Sequence, residues 1–269
     1  MQKVKASRSG IRRAAAGLAI AAVVVLAGAG PAVAANDWTW STATHPAGSA
    51  QVNGGTAGGG VYLSRGVYFL PGVGHMDGPL GADRTEIGAG TGFLGRVAYT
   101  TYAGHIVYPD AGLISTGTRP IPPIMRVSAA WPDAPISGVA HPGDVVAGQQ
   151  ICHSGSSAPT LAAGGFRCGT VKESCKVTDT GCYMTIPVAG GDSGGPVWWY
   201  DGRGGVTLYG WVSMLYQDAN GKFLFSSFVP VWALQNHVWA DSESWSSWGY
   251  PSGNDGTGCF VTTSGCVRS

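Results

Sequence analysis

Short apolar or β-branched runs recur along the chain between clusters of Gly, Pro, Asn and Asp: "GVYLS", "GVYFL", "GRVAYTTYAG", "HIVYP", "AGLIST", "IMRVSAAW", "GPVWWY", "GVTLYGWVSML" and "KFLFSSFVPV". Short strands punctuated by turn signals predict an all-β sandwich or barrel. Helical periodicity is confined to "VWALQNHV", residues 231–238, where Val231, Leu234 and Val238 share one face and predict a short C-terminal helix. The Pro- and Gly-rich "WPDAPISGVAHPG" marks a boundary, which divides the chain into β units at 36–136 and 137–240. Residues 241–269 are polar and Gly/Ser-rich, with Trp245, Trp248, Tyr250 and a cysteine pair of their own. They read as a disulfide-stapled tail, with a small carbohydrate- or surface-binding appendage as the alternative.

The first 35 residues follow another pattern. Lys3, Lys5, Arg8, Arg12 and Arg13 precede the apolar run 14–30, and Pro31 and the small residues Ala32, Val33 and Ala34 follow it. That is the layout of a secretory signal peptide, 1–35, cleaved near Ala34 or Ala35. The run is short for a membrane anchor. The Arg12–Arg13 pair is a weak pointer to twin-arginine export. All acidic residues lie beyond the leader, so the exported chain carries 11 basic against 15 acidic residues, a formal net charge of −4. Neither nucleic acid nor an anionic membrane is an expected partner.

Six cysteines, all after residue 150, read as disulfides in an exported chain. Local spacing favours Cys152–Cys168, Cys175–Cys182 and Cys259–Cys266. Zinc is disfavoured because no two cysteines have the close spacing of a ligand pair.

Chemistry concentrates in "GGDSGGPVWWY", residues 190–200. A serine hydroxyl becomes a nucleophile only when a base takes its proton, and the developing oxyanion needs N–H donors aimed at it. Glycines around Ser193 allow the tight backbone that brings the N–H groups of Gly191 and Ser193 into one pocket. Asp192 must be paired there, because an isolated buried charge is costly.

These residues resemble a known family. "GDSGGP" is similar to the nucleophile motif of the chymotrypsin-like serine endopeptidases, and "ICHSGSSAPTLAAGGFRCGTV" to the "C-R-S-G … C-G-T" segment of their secreted bacterial streptogrisin branch. Gly74–His75 in "YFLPGVGHM" and Asp110 in "YPDAGLI" match the family's His and Asp motifs less specifically. The resemblance spans residues 61–238 in scattered motifs. It implies two six-stranded antiparallel β-barrels with a cleft between them, and a secreted, extracellular, monomeric endopeptidase acting on proteins or peptides without metal or organic cofactor. It assigns Ser193 as nucleophile, His75 as base and Asp110 as the residue that orients His75. Gly191 and Ser193 supply the oxyanion hole, and Ser213, Met214 and Leu215 line the substrate groove, with Ser226 and Ser227 near its far wall. It also implies a bond between Cys152 and Cys168, a closure worth roughly 3 kcal/mol in the chain-entropy picture.

The sequence departs from the family in ways that set further expectations. Met76 stands where the family often has a cysteine after the His, and no cysteine lies upstream of it. His153 replaces the arginine of "C-R-S-G", so His153 or Arg167 is expected to neutralise Asp192; as the partner, His153 would have a raised pKa. Asp77 and Asp83 read as solvated turn residues. His105 is the rival base, but it lies only five residues before Asp110. No acid marks the pocket floor, so an apolar or small side chain is expected before the scissile bond. Two other functions compete. One is a catalytically dead protease-fold binding protein. The other is an α/β-hydrolase esterase using Asp218 and His237, whose nucleophile must turn from a strand into a helix.

Overall fold

A computed structural model describes residues 51–52, 55–56, 58–87, 93–118, 121–125, 127, 133–240 and 258–269. The expected leader, 1–35, and the tail aromatics Trp245, Trp248 and Tyr250 lie outside the described residues. In chain order the elements are β1 (Gln51–Val52), β2 (Gly55–Thr56), β3 (Tyr62–Ser64), β4 (Val67–Gly72), α1 (Gly74–Asp77), β5 (Asp83–Ile87), β6 (Phe93–Thr100), β7 (Gly112–Gly117), β8 (Ile124–Met125) and β9 (Ala134–Val139). There follow β10 (Gln150–Ser154), α2 (Ala158–Ala162), β11 (Phe166–Thr170), β12 (Cys182–Met184), β13 (Pro196–Tyr200), β14 (Val206–Gln217), β15 (Phe223–Pro230), α3 (Val231–Ala240), β16 (Cys259–Thr262) and β17 (Gly265–Val267).

The strands form two curled sheets. The first runs β17-β16-β3-β4-β7-β6-β5-β1-β2, and the second β11-β10-β13-β14-β15-β12, with β9 joined parallel to β14 and β8 paired to β9. Among the described residues these are nine and eight strands, not six each. The additions are short edge strands and the C-terminal hairpin, which satisfy edge N–H and C=O groups that would otherwise be unpaired. The run "HIVYP" is not a strand: Ile106 and Val107 lie in an exposed loop. Its apolar residues are not covered by a second layer, so no pleated surface forms around them.

Alternation fills the interior of both sheets. Phe69, Tyr99 and Leu113 are buried in the first, and Trp198, Trp211 and Phe228 in the second. The Trp211 indole crosses between them, donating Nε1–H to the Gly59 carbonyl at 2.8 Å. The helix expected at 231–238 is α3, with Val231, Leu234 and Val238 all buried.

The described part of the tail, 258–269, is not a separate appendage. Strand β16 pairs with β3 through Cys259–Leu63 and Phe260–Tyr62. Phe260 is buried against the rings of Tyr62 and Trp211, at 5.3 and 5.9 Å between centroids. Thr263 N–H reaches the Ile136 carbonyl at 2.9 Å, and Ser269 N–H reaches Gln235 Oε1 at 3.1 Å. The hairpin thus ties the first sheet to β9 and α3. The three cysteine pairs are Cys152–Cys168, Cys175–Cys182 and Cys259–Cys266, as local spacing favours.

Candidate active site

Strand β4 ends in the short turn α1, and this places His75 at the edge of the first sheet with its side chain 24% exposed. Asp110, fully buried, precedes the neighbouring strand β7. Its loop is fastened to the end of β6 by Thr101, whose hydroxyl donates to the Pro109 carbonyl at 2.7 Å and accepts from the Ala111 N–H at 3.0 Å. The pairing Gly72–Gly112 brings the two strand ends together.

Two contacts then join His75 to Asp110. The backbone N–H of His75 donates to Asp110 Oδ1 at 2.9 Å, and the ring Nδ1–H donates to Oδ2 at 2.6 Å. With Nδ1 carrying that proton, Nε2 is the basic nitrogen of the neutral ring. Ser213, buried on β14, donates its hydroxyl to the same Oδ2 at 2.7 Å. The carboxylate is thus held by donors from both sheets, which satisfies a buried charge.

Ser193 lies in the turn before β13. No hydrogen bond joins its hydroxyl to His75 among the described residues. The backbones on either side meet instead: a Cβ built on Gly194 would lie 2.9 Å from Met76 Cε and 2.6 Å from the Thr56 carbonyl oxygen. Gly194 has φ +80°, so a side chain there is excluded by conformation as well as by space. The residue after the serine is therefore packed on the residue after the histidine. Met76 fills this contact with an adaptable apolar side chain.

Gly191, at φ +104°, turns the chain so that Asp192 N–H closes back on the Ala189 carbonyl at 3.0 Å. Gly194 N–H and Gly195 N–H are also bonded, to the carbonyls of Val212 and Asp192. The N–H groups of Gly191 and Ser193 donate to no acceptor among the described residues.

The partner expected for Asp192 is not the one found. The Asp192 carboxylate, fully buried, accepts from Ser157 N–H at 3.1 Å, Ser157 Oγ at 2.8 Å, Thr160 Oγ1 at 2.9 Å and Ala189 N–H at 3.0 Å. Four donors disperse the charge without a cation. Arg167 instead donates to the Pro187 carbonyl at 3.0 Å. His153 is buried with neither ring nitrogen hydrogen-bonded. Burial pushes its pKa down to about 4, against an opposing pull from Asp192. It is a neutral packing residue, and the expected rise is a fall, because desolvation outweighs the nearby charge.

Asp77 is likewise not a solvated turn residue. It is fully buried, and both carboxyl oxygens lack a partner. Burial raises its pKa well above the ordinary carboxylate value; Arg84 opposes the rise and Asp110 adds to it. The Arg84 guanidinium bonds the main-chain carbonyl of Asp77, not its carboxyl group. Asp83 is exposed and paired with Arg96 at 2.6 Å.

The expected groove residues lie where β14 outruns β13. Pairing with β13 ends at Pro196–Trp211, while β15 accompanies β14 as far as Gln217–Phe223. One edge of 213–217 is therefore without a strand partner among the described residues. Leu215 is 37% exposed on it, and Met214 Sδ accepts the Tyr108 hydroxyl at 3.0 Å. Tyr108 also meets Tyr216, hydroxyl to hydroxyl, at 2.7 Å. Beside them lies a cavity of about 580 Å³, lined by Tyr108, Tyr183, Tyr216, Ser227 and the Cys175–Cys182 loop. Ser226 is buried and donates to the Ile186 carbonyl at 2.5 Å.

Thr56, Ser156, Ser157 and Thr160 belong to this site and are missing from the sequence expectations. "SSAPT" carries a helix N-cap signal, Ser followed by Pro, but nothing local links it to Asp192. Among the described residues no group of three or more His, Cys, Asp or Glu is placed to hold a metal ion. No helix among them is long and apolar enough to cross a membrane.

No protein-family model and no curated protein matches the sequence. Solved structures do match in fold. Protease A of Thermobifida fusca superposes with a TM-score of 0.51 at 20% identity, covering 71% of this chain and 94% of that one. The Nocardiopsis protease NAPase gives 0.50 at 20% identity over the same shares. A glutamic acid-specific serine protease, described as using a histidine triad in substrate binding, gives 0.51 at 20% identity over 69% and 92%. The chain therefore has the two-barrel fold shared by these chymotrypsin-like serine proteases.

Proposed function

We propose that this protein is an exported serine endopeptidase that hydrolyses peptide bonds through Ser193, His75 and Asp110. The single observation that carries the reading is the buried relay Ser213–Asp110–His75, which leaves Nε2 of His75 basic. The packing of Gly194 on Met76 supports the placement of Ser193 beside it.

The chemistry follows from these groups. An extended peptide adds to the open edge of 213–217 as a further strand. Ser193 Oγ attacks the scissile carbonyl carbon while its proton passes to Nε2 of His75. The carbonyl oxygen becomes negative and accepts from the N–H groups of Gly191 and Ser193. As the C–N bond breaks, His75 returns the proton to the leaving amine and an acyl ester remains on Ser193. Water then repeats the sequence and releases the acid. The exposed Leu215 favours an apolar or small side chain before the scissile bond. The leader directs the chain out of the cell, where it acts as a monomer on proteins or peptides.

The α/β-hydrolase alternative is overturned by the fold. The chain after Ser193 enters strand β13, not a helix, and every strand pairing among the described residues except β9–β14 is antiparallel. Asp218 caps its own turn by accepting from the N–H groups of Asn220 and Lys222. A fluorophosphonate probe tests the proposal: native protein should label covalently, and Ser193→Ala and His75→Ala should not. An unlabelled native protein, under conditions where a known serine hydrolase reacts, would favour the catalytically dead binding protein.

A further inference from the structure

Gly191 poses a problem that the proposed mechanism leaves open. Its N–H must point at the oxyanion, yet it follows Gly190, and two glycines in sequence restrain the backbone weakly. The four donors on Asp192 hold its carboxylate, and its N–H ties one end of the Gly191–Asp192 peptide to the Ala189 carbonyl. The other end is held from elsewhere. The Gly191 carbonyl accepts the Thr56 hydroxyl at 2.7 Å, and the Ser156 hydroxyl lies 2.9 Å from the same oxygen. Thr56 Oγ1 in turn accepts the Ser156 N–H at 2.9 Å, and the two hydroxyls stand 2.9 Å apart. The backbone N–H of Thr56 donates to the Ser193 carbonyl at 2.8 Å. One fully buried residue on β2 thus grips the carbonyls on both sides of Asp192.

Resting on the reading of Ser193 as nucleophile, we propose that Thr56, assisted by Ser156, is a positioning residue whose hydroxyl clamps the Gly191 carbonyl and so fixes the Gly191–Asp192 peptide, the link that sets the two oxyanion-hole N–H groups of Gly191 and Ser193 relative to each other. Neither hydroxyl touches substrate. Both are un-ionised throughout the range in which His75 works, so the clamp holds its direction without an ion pair.

The test uses the full exported chain. Steady-state constants are measured on an extended peptide anilide with an apolar residue before the scissile bond, together with the affinity of a peptide boronic acid, which forms a tetrahedral adduct on the serine. Thr56→Val removes the hydroxyl and nearly keeps the shape. Its kcat should fall about tenfold, the equivalent of one ordinary hydrogen bond, with KM little changed and boronate affinity falling by the same factor. Thr56→Ser should restore both. Adding Ser156→Ala to Thr56→Val should drive the loss toward the roughly 10²–10³-fold seen when an oxyanion donor is removed outright.

A Thr56→Val protein with wild-type kcat and boronate affinity overturns the inference. So does a kcat loss with no parallel loss of boronate affinity, or one that Thr56→Ser fails to rescue. If Thr56→Val does not fold, Ser156→Ala decides alone: unchanged kcat and boronate affinity overturn the clamp, and parallel losses support it. A native chain that neither labels with fluorophosphonate nor hydrolyses peptide overturns the functional reading, and the clamp with it.

Discussion

His75 gives Asp110 two hydrogen bonds, one from its backbone N–H to Oδ1 and one from its ring to Oδ2. The backbone bond fixes the carboxylate independently of the ring, so the ring bond is free to set the tautomer. Asp110→Asn would keep the shape but present an N–H where an acceptor is needed, which turns the imidazole to the wrong tautomer. The expected result is a loss of about 10⁴ in kcat, with the folded fraction unchanged by circular dichroism. A loss below tenfold would show that Asp110 does not orient the base.

His153 predicts an acid-side loss of stability. Its folded pKa of about 4 lies below its ordinary 6.5, so between those values the unfolded chain binds more protons. Its contribution is complete above about pH 6.5 and is lost as pH falls toward 4, a change of about 3 kcal/mol. Urea unfolding at intervals from pH 4 to 7 should show this slope, and His153→Leu should flatten it. An unchanged slope in the variant would contradict the buried neutral ring.

Asp77 acts in the opposite sense. Its folded pKa is raised, so its contribution is complete below the ordinary carboxylate value and declines as pH rises above it. Arg84 and Asp110 are the charged groups that act on it. Asp77→Asn removes the titration and keeps the shape. The stability of Asp77→Asn relative to wild type should therefore increase from pH 4 to pH 8, measured by urea unfolding. A relative stability of the variant that stays constant or falls over that range would argue for an ionised Asp77.

The C-terminal hairpin should stabilise the whole protein. Phe260 is buried between Tyr62 of the first sheet and Trp211 of the second. Phe260→Ala should cost about 3–5 kcal/mol, read as a lowered thermal midpoint for the complete unfolding transition. A wild-type midpoint would mean that the hairpin is a dispensable appendage.

Legibility in the sequence tracked the range of the interactions involved. The strands β14 and β15, the helix α3 and the three cysteine pairs could be read because each rests on alternation, periodicity or closure within a few residues to a dozen or so. His75, Asp110 and Ser193 could be named as candidates because "YFLPGVGHM", "YPDAGLI" and "GDSGGP" resemble the motifs of a known family. The burial of Asp77 could not be read, because it depends on how α1 packs against the Gly72 and Gly112 strand ends.

By itself, then, the sequence determined a β-rich chain, its local staples and the residue types of a candidate nucleophilic site. Only the tertiary structure decided what holds the Asp192 carboxylate, why His153 is uncharged, where the tail docks and what grips the Gly191 carbonyl. Apart from Ala189, three residues from Asp192, the partners of Asp192 and Gly191 lie 32 to 135 residues away, and Cys259 of the tail pairs with the distant Leu63. A serine or threonine hydroxyl looks the same in every loop. Its role is set by which charge or carbonyl the folded chain brings within hydrogen-bond reach, and by whether water is excluded when it does.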